Sequence, residues 1–234
     1  MSLIAFFGAL ESGLIYGLVA LGVLISFRTL DFPDLTADGS FPLGGAVAGI
    51  SIIAGVNPWL ACAFGMLAGS VAGIVTAWLH VKLGILQLLA SILVMVALYS
   101  VNLRIMGAPN LPLLGETTVF STLVSDGNGY WMRCLIIGVV VLLAMLFLNW
   151  FYSTETGLSM RATGSNLRMA QAQGINTSWM TIIGMAISNG LIALAGALFV
   201  QTQGGADISI GIGTIVIGLA AVIIGETIIP AKRI

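Results

Sequence analysis

Long apolar runs alternate with short polar connections along the whole chain. A helix that crosses about 30 Å of hydrocarbon needs roughly 20 apolar residues, and about seven runs approach that length. They lie at Leu3–Phe27, Pro42–Val56, Trp59–His80, Ile85–Val101, Trp131–Tyr152, Trp179–Gln201 and Ile208–Ile229. The pattern predicts an all-α fold, a polytopic transmembrane helical bundle, with residues 1–234 forming one domain.

Two of these runs differ from a simple span. The second is too short to cross comfortably and is rich in glycine, and further glycines precede and interrupt the seventh. Irregular backbone at membrane depth must be buried in protein or line a water-filled cavity. We therefore predict a broken or re-entrant second segment, buried in protein, and a glycine-interrupted seventh segment.

Small residues also recur at four-residue spacing, which lets helix backbones approach closely in lipid. The stripes are Gly13/Gly17, Gly45/Gly49 and Gly65/Gly69/Gly73. They indicate packing seams within one bundle; the alternative is that one of them forms the seam with a second copy of the chain.

The composition makes the bilayer the solvent of this chain. Hydrophobic residues make up 59% of it and charged residues 7%, with a mean hydropathy of +1.10. Soluble domains carry about 25% charged residues. The net charge of −1 gives no reason to expect nucleic-acid binding. The two cysteines, Cys62 and Cys134, lie in apolar runs, so we expect neither a disulfide nor a metal site.

The basic residues predict the orientation. If the second segment crosses, six of the eight fall on one side, and two fall on the other. The first group is Arg28, Lys82, Arg161, Arg168, Lys232 and Arg233, and the second is Arg104 and Arg133. By the positive-inside rule the first side is cytoplasmic. The N-terminus and the 104–130 loop are then outside, and the 153–178 connection is cytoplasmic.

The 153–178 connection is the longest polar stretch on the predicted inner side. Ser165 or Asn166 can cap a short helix, and Gly174 stands where such a helix would end. Arg161 and Arg168 can hydrogen-bond a partner protein or anionic lipid headgroups. The residues alone leave two alternatives open, a helix that docks on a soluble partner and an interfacial loop helix.

The same connection resembles a known family. Gly157, Arg161, Ala162, Gly164, Asn166, Ala170, Gly174, Ile175 and Asn176 match, in register, the cytoplasmic loop of ABC-importer permeases of the branched-chain amino-acid/ribose class. The resemblance extends over most of the chain, and residues 21–40 are similar to a subgroup associated with import of aromatic and other amino acids. Family members continue beyond a point such as Ala231–Ile234, so we expect the chain to be short or truncated relative to them.

The resemblance implies a permease subunit for a small polar solute, more an amino acid than a sugar. It implies a bacterial inner-membrane location, a coupling helix, a separate ATPase, a second permease subunit that is expected to be an identical copy, and an external solute-binding protein. The coupling residues it implies are Arg161, Ala162, Gly164, Asn166, Arg168, Ala170 and Gly174. The chain has no phosphate-binding glycine-rich loop with lysine, so ATP and Mg²⁺ are expected on the partner and no cofactor on this chain.

Five carboxylates are candidates for the translocation path: Glu11, Asp31, Asp34, Asp38 and Glu226. A charge within a membrane helix costs about 2.5–3.5 kcal/mol on insertion scales, so each needs a partner or a polar cavity. Glu11 has a helix-packing hydrogen bond as its alternative role. For Asp31, Asp34 and Asp38 we favour a structural role over a place in the path, with Asp38 or Ser40 capping the start of the second helix. Asp207 is expected on the outer rim.

Other function classes are disfavoured by the residues that are missing. The single histidine, His80, has no catalytic companion, and no zinc or redox motif occurs. The main alternative is a secondary transporter driven by an ion gradient, with Glu11 or the three aspartates as its coupling site. That alternative gives no reason for the long capped inner loop. A non-transporting membrane scaffold also fits the packing seams.

Overall fold

The computed structural model describes residues 3–123 and 129–228. Six of its helices are long and apolar enough to cross a membrane, and a seventh apolar helix is shorter, so the predicted bundle of about seven segments is confirmed. The helices are α1 (Leu3–Val23), α2 (Ala37–Ile53), α3 (Pro58–Leu83), α4 (Gln87–Met106), α5 (Val119–Leu123), α6 (Gly129–Ser153), α7 (Glu155–Ser165), α8 (Leu167–Ala172), α9 (Thr177–Gln203) and α10 (Thr214–Ile228).

Helix α1 does not end where its α-helical hydrogen bonding ends. It continues as a π-helical turn over Leu24–Thr29, with Leu30 N–H donating to Ile25 O at 3.0 Å. The Thr29 hydroxyl lies 2.9 Å from the Tyr152 hydroxyl at the end of α6. π-turns are rare and are found frequently at functional sites. This π-helical turn directs the chain from the end of α1 back into the bundle.

The second segment is one continuous helix, α2, and begins at Ala37 rather than at Pro42. It has 17 residues and a length of about 25 Å at 1.5 Å per residue, so it is short, as predicted. The irregular backbone that we expected within it precedes it instead. Residues 30–36 lead into the bundle, and Phe32, Asp34 and Thr36 among them are almost completely buried.

Helix α9 forms the centre of the bundle and packs closely against α3 and α2. A Cβ atom at Gly69 or Gly73 of α3 would overlap backbone atoms of Asn189 or Met185 of α9. A Cβ at Gly45 of α2 would overlap Val200, and one at Gly49 would lie 3.2 Å from Leu111 Cδ2. The Gly65/Gly69/Gly73 and Gly45/Gly49 stripes are therefore seams within this chain, as predicted. In contrast, no atom from another described segment lies within 4 Å of a Cβ built at Gly13 or Gly17 of α1.

The seventh segment is interrupted, as predicted. After α9 ends, with Gly204 at φ +72°, the chain forms strand β2 (Gly205–Asp207) and a 3₁₀ turn, Ile208–Gly211, before α10 begins at Thr214. Strand β2 pairs antiparallel with β1 (Asn110–Pro112) from the connection after α4. This small sheet is an addition that the apolar pattern did not predict.

The described basic residues gather at two opposite ends of the bundle, in the groups that the sequence predicted. One end carries Arg28, Lys82, Arg161 and Arg168 at the ends of α1 and α3 and on α7 and α8. The other end carries Arg104, at the end of α4, and Arg133, near the start of α6. Lys232 and Arg233 lie outside the described residues. We call the first end the arginine-rich end and the second the sheet end, after β1 and β2.

Candidate functional site

The arginine-rich end carries two short capped helices, α7 and α8. The Thr154 hydroxyl accepts from Gly157 N–H at 3.3 Å and caps α7, and Asn166 Oδ1 accepts from Met169 N–H at 3.1 Å and caps α8. Gly174 adopts φ +82° just after α8. The predicted cap at Asn166 and the predicted end at Gly174 are both confirmed.

Helix α7 is the part of this region that we did not predict as a helix. Gly157 and Gly164 lower its intrinsic helix propensity, but close packing requires both of them. A Cβ at Gly157 would overlap the backbone of Phe151 and Tyr152, and a Cβ at Gly164 would overlap the backbone of Thr29 and Leu30. Tertiary contact therefore overrides local propensity here.

The buried side of α7 contacts the end of α1 and the start of the 30–36 segment. Met160 is fully buried, and a Cβ at Gly184 of α9 would overlap both Met160 and Leu30. Together with Gly164, these contacts place α7 directly against the junction at Thr29–Leu30. A displacement of α7 would therefore act on the segment that leads into α2.

The outward side of α7 and α8 is unusual for a polar surface because large apolar side chains are exposed on it. Leu158, Leu167 and Met169 are 54%, 52% and 60% exposed. Arg161 and Arg168 are exposed beside them. Buried interface cores combine apolar side chains with arginine, so this surface has the composition of a docking site. We had not singled out Leu158, Leu167 and Met169 as contact residues, although their place beside the two arginines was a usable signal.

The other predicted coupling residues differ in position. Ala170 is buried against the bundle, whereas Ala162 and Gly164 are partly exposed and Gly174 is exposed. A pocket of about 440 Å³ lies between α7 and the end of α1, with Arg28, Asp31, Arg161 and Ser165 in its wall. Asp31 adopts φ +52° and is exposed at this pocket.

Asp34 lies at the centre of a buried polar cluster. It is 1% exposed; Oδ1 accepts from Thr36 N–H at 2.9 Å and Oδ2 from Asn189 Nδ2 at 2.7 Å. Ser40 Oγ donates to Asn189 Oδ1 at 2.7 Å, and the Thr36 and Thr76 hydroxyls lie 2.9 Å apart. The cluster joins the 30–36 segment, α2, α3 and α9. This position supports the structural role for Asp34, and its role in the path stays a prediction.

Asp38 caps a different helix from the one we expected. Its Oδ1 accepts from Ile215 N–H at 2.8 Å and its Oδ2 from Gly213 N–H at 3.2 Å, so the carboxylate caps the start of α10. The prediction that Asp38 or Ser40 caps α2 is wrong, because Thr36 is the N-cap residue of α2 and Ser40 bonds to Asn189. Asp38 thereby fixes the break before α10 to the first turn of α2.

The remaining carboxylates lie at the two ends of the bundle. Glu226 accepts from Arg28 Nε at 2.6 Å at the arginine-rich end. Glu11 lies towards the sheet end; its Oε1 is buried and has no hydrogen-bond partner among the described residues, and the same holds for Arg133 Nε. Asp207 lies in the sheet itself, as expected for the rim. Hydrogen bonds from the Ser209 hydroxyl and N–H lower the pKa of Asp207, which keeps it ionised.

These features define a multi-pass helical membrane bundle that carries an exposed pair of capped helices at one end. Comparison with known proteins identifies its family. Residues 5–231 match the profile of the branched-chain amino acid transport system / permease component family, and the chain belongs to that family. Its members are permease subunits, and ATP hydrolysis lies with a separate subunit in such systems.

Three relatives illustrate the similarity. A tyrosine transport system permease protein of Clostridioides difficile is 41% identical over 94% of this chain and 72% of its own length. An uncharacterized protein of Rickettsia prowazekii is 37% identical over 94% and 76%. A probable branched-chain amino acid transport permease protein of Methanocaldococcus jannaschii is 27% identical over 81% and 64%. No solved structure matches the chain.

Proposed function

We propose that this permease subunit imports an amino acid across the bacterial inner membrane and receives its driving motion through α7 and α8. The observation that carries the proposal is the exposure of Leu158, Leu167 and Met169 beside Arg161 and Arg168. The back of the same helices packs on Thr29 and Leu30. An ATPase that binds the outward surface would thus act directly on the membrane bundle. ATP and Mg²⁺ bind to that partner and not to this chain.

The solute in this proposal is an aromatic or branched-chain amino acid. The similarity to a tyrosine permease at 41% identity supports this class, as does the more distant similarity to a branched-chain amino acid permease. An external binding protein delivers the solute to the sheet end. Asp207, whose carboxylate is held by Ser209, supplies one fixed charged contact at that end for the delivery protein.

The ATPase docking is tested by charge reversal. Arg161→Glu and Arg168→Glu, and separately Leu167→Asp, should each reduce co-purification of the ATPase, because buried interface cores tolerate neither a lost arginine nor an added carboxylate. Lys82→Glu is the matched control. Lys82 is also an exposed cation at the arginine-rich end, but it lies on α3, away from α7 and α8.

Membrane insertion should be unchanged in all four variants. If the ATPase co-purified undiminished with all three test variants, or if Lys82→Glu reduced it as much, α7 and α8 would not be the docking surface.

The arginine-rich end is cytoplasmic in this proposal and the sheet end is external. Single cysteines test this orientation. A charged, impermeant maleimide should label Ser165→Cys in inside-out vesicles only and Glu116→Cys in right-side-out vesicles only, since both positions are exposed. The reverse pattern would contradict the orientation and the docking role of α7 and α8 together.

A second copy of the chain completes the membrane assembly in this proposal. Of the three small-residue stripes, Gly13/Gly17 is the one that no described residue covers, whereas the other two are filled within the chain. A helix face with open glycines suits close packing against an identical helix. Gly13→Cys should form an intermolecular disulfide under oxidation in membranes. Leu142→Cys on the exposed face of α6 should not.

A further inference from the structure

A pocket of about 350 Å³ opens between α2, α4 and the break that precedes α10. This volume falls within the range of about 300–1,000 Å³ that is typical of small-molecule sites. Its wall includes Asp38, Pro42, Met95, Tyr99, Ser100 and Asn102. Tyr99 lies seven residues before the end of α4 at Met106, which corresponds to about 10 Å along the helix. The pocket is therefore inside the span and not at its edge.

The polar groups of this pocket are not all used by the protein. Asn102 is 1% exposed, and its Nδ2 donates to Gly39 O at 3.2 Å. Its Oδ1 is buried with no hydrogen-bond partner in residues 3–123 and 129–228. Each Asp38 oxygen accepts one backbone N–H and keeps a further lone pair. Asn102 Oδ1 lies behind the wall of the pocket, and the Asp38 oxygens are the acceptors with spare capacity that the pocket presents.

Tyr99 and Ser100 distinguish this pocket from a lipid-facing surface. Both are exposed, and unsatisfied hydroxyls in hydrocarbon are costly. The neighbouring groove on α4 differs, since residues such as Val71, Val94, Val101 and Ile105 make its whole wall apolar. Two sides of one helix therefore meet different environments, and the side with Tyr99 and Ser100 is suited to water or a polar ligand.

We propose that this pocket is a solute subsite on the translocation path and binds the α-ammonium group of an amino acid. The inference rests on the proposed function and adds the recognising groups to it. Asp38 accepts hydrogen bonds from the ammonium, because its oxygens keep unused lone pairs. Pro42, Met95 and Ile212 form the apolar part of the wall and contact the side chain of the solute. The Asp38 cap couples occupancy of the pocket to the start of α10.

The first experiment tests whether the pocket is wet. Ser100→Cys and Val101→Cys are adjacent and exposed on α4, at the same depth, but they face the polar pocket and the apolar groove respectively. In membranes containing the importer, a cationic methanethiosulfonate reagent should label Ser100→Cys at least tenfold faster than Val101→Cys. The unchanged chain gives the background, because Cys62 and Cys134 are buried. Equal rates, or reaction of Ser100→Cys only with a membrane-soluble maleimide, would overturn the proposal.

The second experiment tests the ligand. L-Tyrosine and L-leucine are the probes, and their N-acetyl derivatives, which lack the ammonium group, are the matched controls. At least one free amino acid should slow labelling of Ser100→Cys severalfold, and neither derivative should do so. Asp38→Asn, which removes the charge and one acceptor oxygen, should weaken this protection. Equal protection by a free amino acid and its derivative, or no protection by any probe, would overturn the ammonium assignment.

ATP-dependent uptake of the same probes by the importer with the unchanged chain tests the proposed function separately from the subsite. Uptake of L-tyrosine or L-leucine without protection at Ser100→Cys leaves the proposed function intact and overturns the subsite. Absence of uptake for both overturns the amino-acid function, and the subsite assignment that rests on it is overturned as well.

Discussion

Asn189 joins three separate parts of the chain inside the bundle. Its Nδ2 donates to Asp34 Oδ2 and to Met185 O, and its Oδ1 accepts from Ser40 Oγ. A carboxyl group taken out of water needs such partners, because a buried polar group without a hydrogen bond costs about 1–3 kcal/mol. Asn189 therefore makes the buried position of Asp34 tolerable.

Asn189→Ala should lower the free energy of unfolding by about 1–3 kcal/mol, the usual cost of leaving a buried hydrogen-bonding group unsatisfied. The measurement is thermal unfolding of the purified chain in detergent. Asn149→Ala is the matched control, because Asn149 is exposed on α6. An equal fall for both variants would contradict the role of Asn189.

A double replacement refines this test at the same scale. Asp34→Asn should recover part of the stability that Asn189→Ala loses, since the Asn189→Ala background then no longer buries a carboxyl group whose Oδ2 has lost its donor. The comparison is a double-mutant cycle on the same unfolding measurement. Strictly additive losses would mean that Asp34 and Asn189 do not interact energetically.

Between elements, the glycine seams decide how closely helices approach. At the contact of α3 with α9, a Cβ atom at Gly73 would overlap the Met185 carbonyl. At Gly8 of α1 no atom lies within 4 Å of the added Cβ. The same substitution therefore meets opposite surroundings at these two positions.

Gly73→Ala should destabilise the chain by about 1–3 kcal/mol, the range for overpacking. Gly8→Ala should be neutral or should stabilise by up to about 1 kcal/mol, because alanine has the higher helix propensity. Chemical denaturation in mixed micelles measures both. A similar loss at Gly8 would show that the effect is not due to the seam.

The Asp38 cap gives a prediction for the interrupted seventh segment. Asp38→Ala removes the acceptor for Gly213 and Ile215 N–H and should cost about 0.5–2 kcal/mol. Amide hydrogen exchange in residues 213–217 should therefore accelerate. Asp207→Ala is the control, because Asp207 caps the preceding 3₁₀ turn through Ser209; its effect should stay within residues 208–211.

Sequence patterns predicted the positions of the helices better than the contacts between residues that are far apart in the chain. Apolar run length gives spans such as α6 and α9, because the hydrocarbon thickness sets the required number of residues. The Asn166 cap was also predictable, because it acts three residues along the chain. The role of Asp38 was predicted wrongly, because the N–H group that donates to its Oδ1 belongs to Ile215, 177 residues further along the chain. Helix α7 was not predicted, because Gly157 and Gly164 lower its intrinsic helix propensity. They suit the helix only through its close contacts with other segments, which the local sequence does not show.

Across the whole molecule, a continuous set of contacts runs from the proposed docking surface on α7 and α8 to the buried polar cluster. Helix α7 packs on Thr29 and Leu30 through Gly164 and Met160. The chain then leads from Leu30 to Asp34 and its bond with Asn189. Such contiguity is a physical condition for coupling between distant sites, and it can be tested by separating docking from transport.

Gly164→Ala should leave ATPase binding intact and reduce solute uptake severalfold for each ATP hydrolysed, because the added methyl group separates α7 from Thr29. Ser165→Ala is the neighbouring control, since Ser165 is exposed and its hydroxyl bonds only within α7. Uptake and ATP hydrolysis are measured together in proteoliposomes. An unchanged ratio in Gly164→Ala would contradict this route.

The unequal burial of the helices has a consequence for how this sequence evolves. In the most apolar 18-residue stretch of α9, 67% of the residues are buried, against 17% in α6. Helix α6 can exchange one apolar residue for another with little effect. Among homologues its residues should therefore vary widely while their hydropathy stays the same. Helix α9 meets a neighbour on nearly every side, so its accepted changes should be few and paired with compensating changes in α2 or α3.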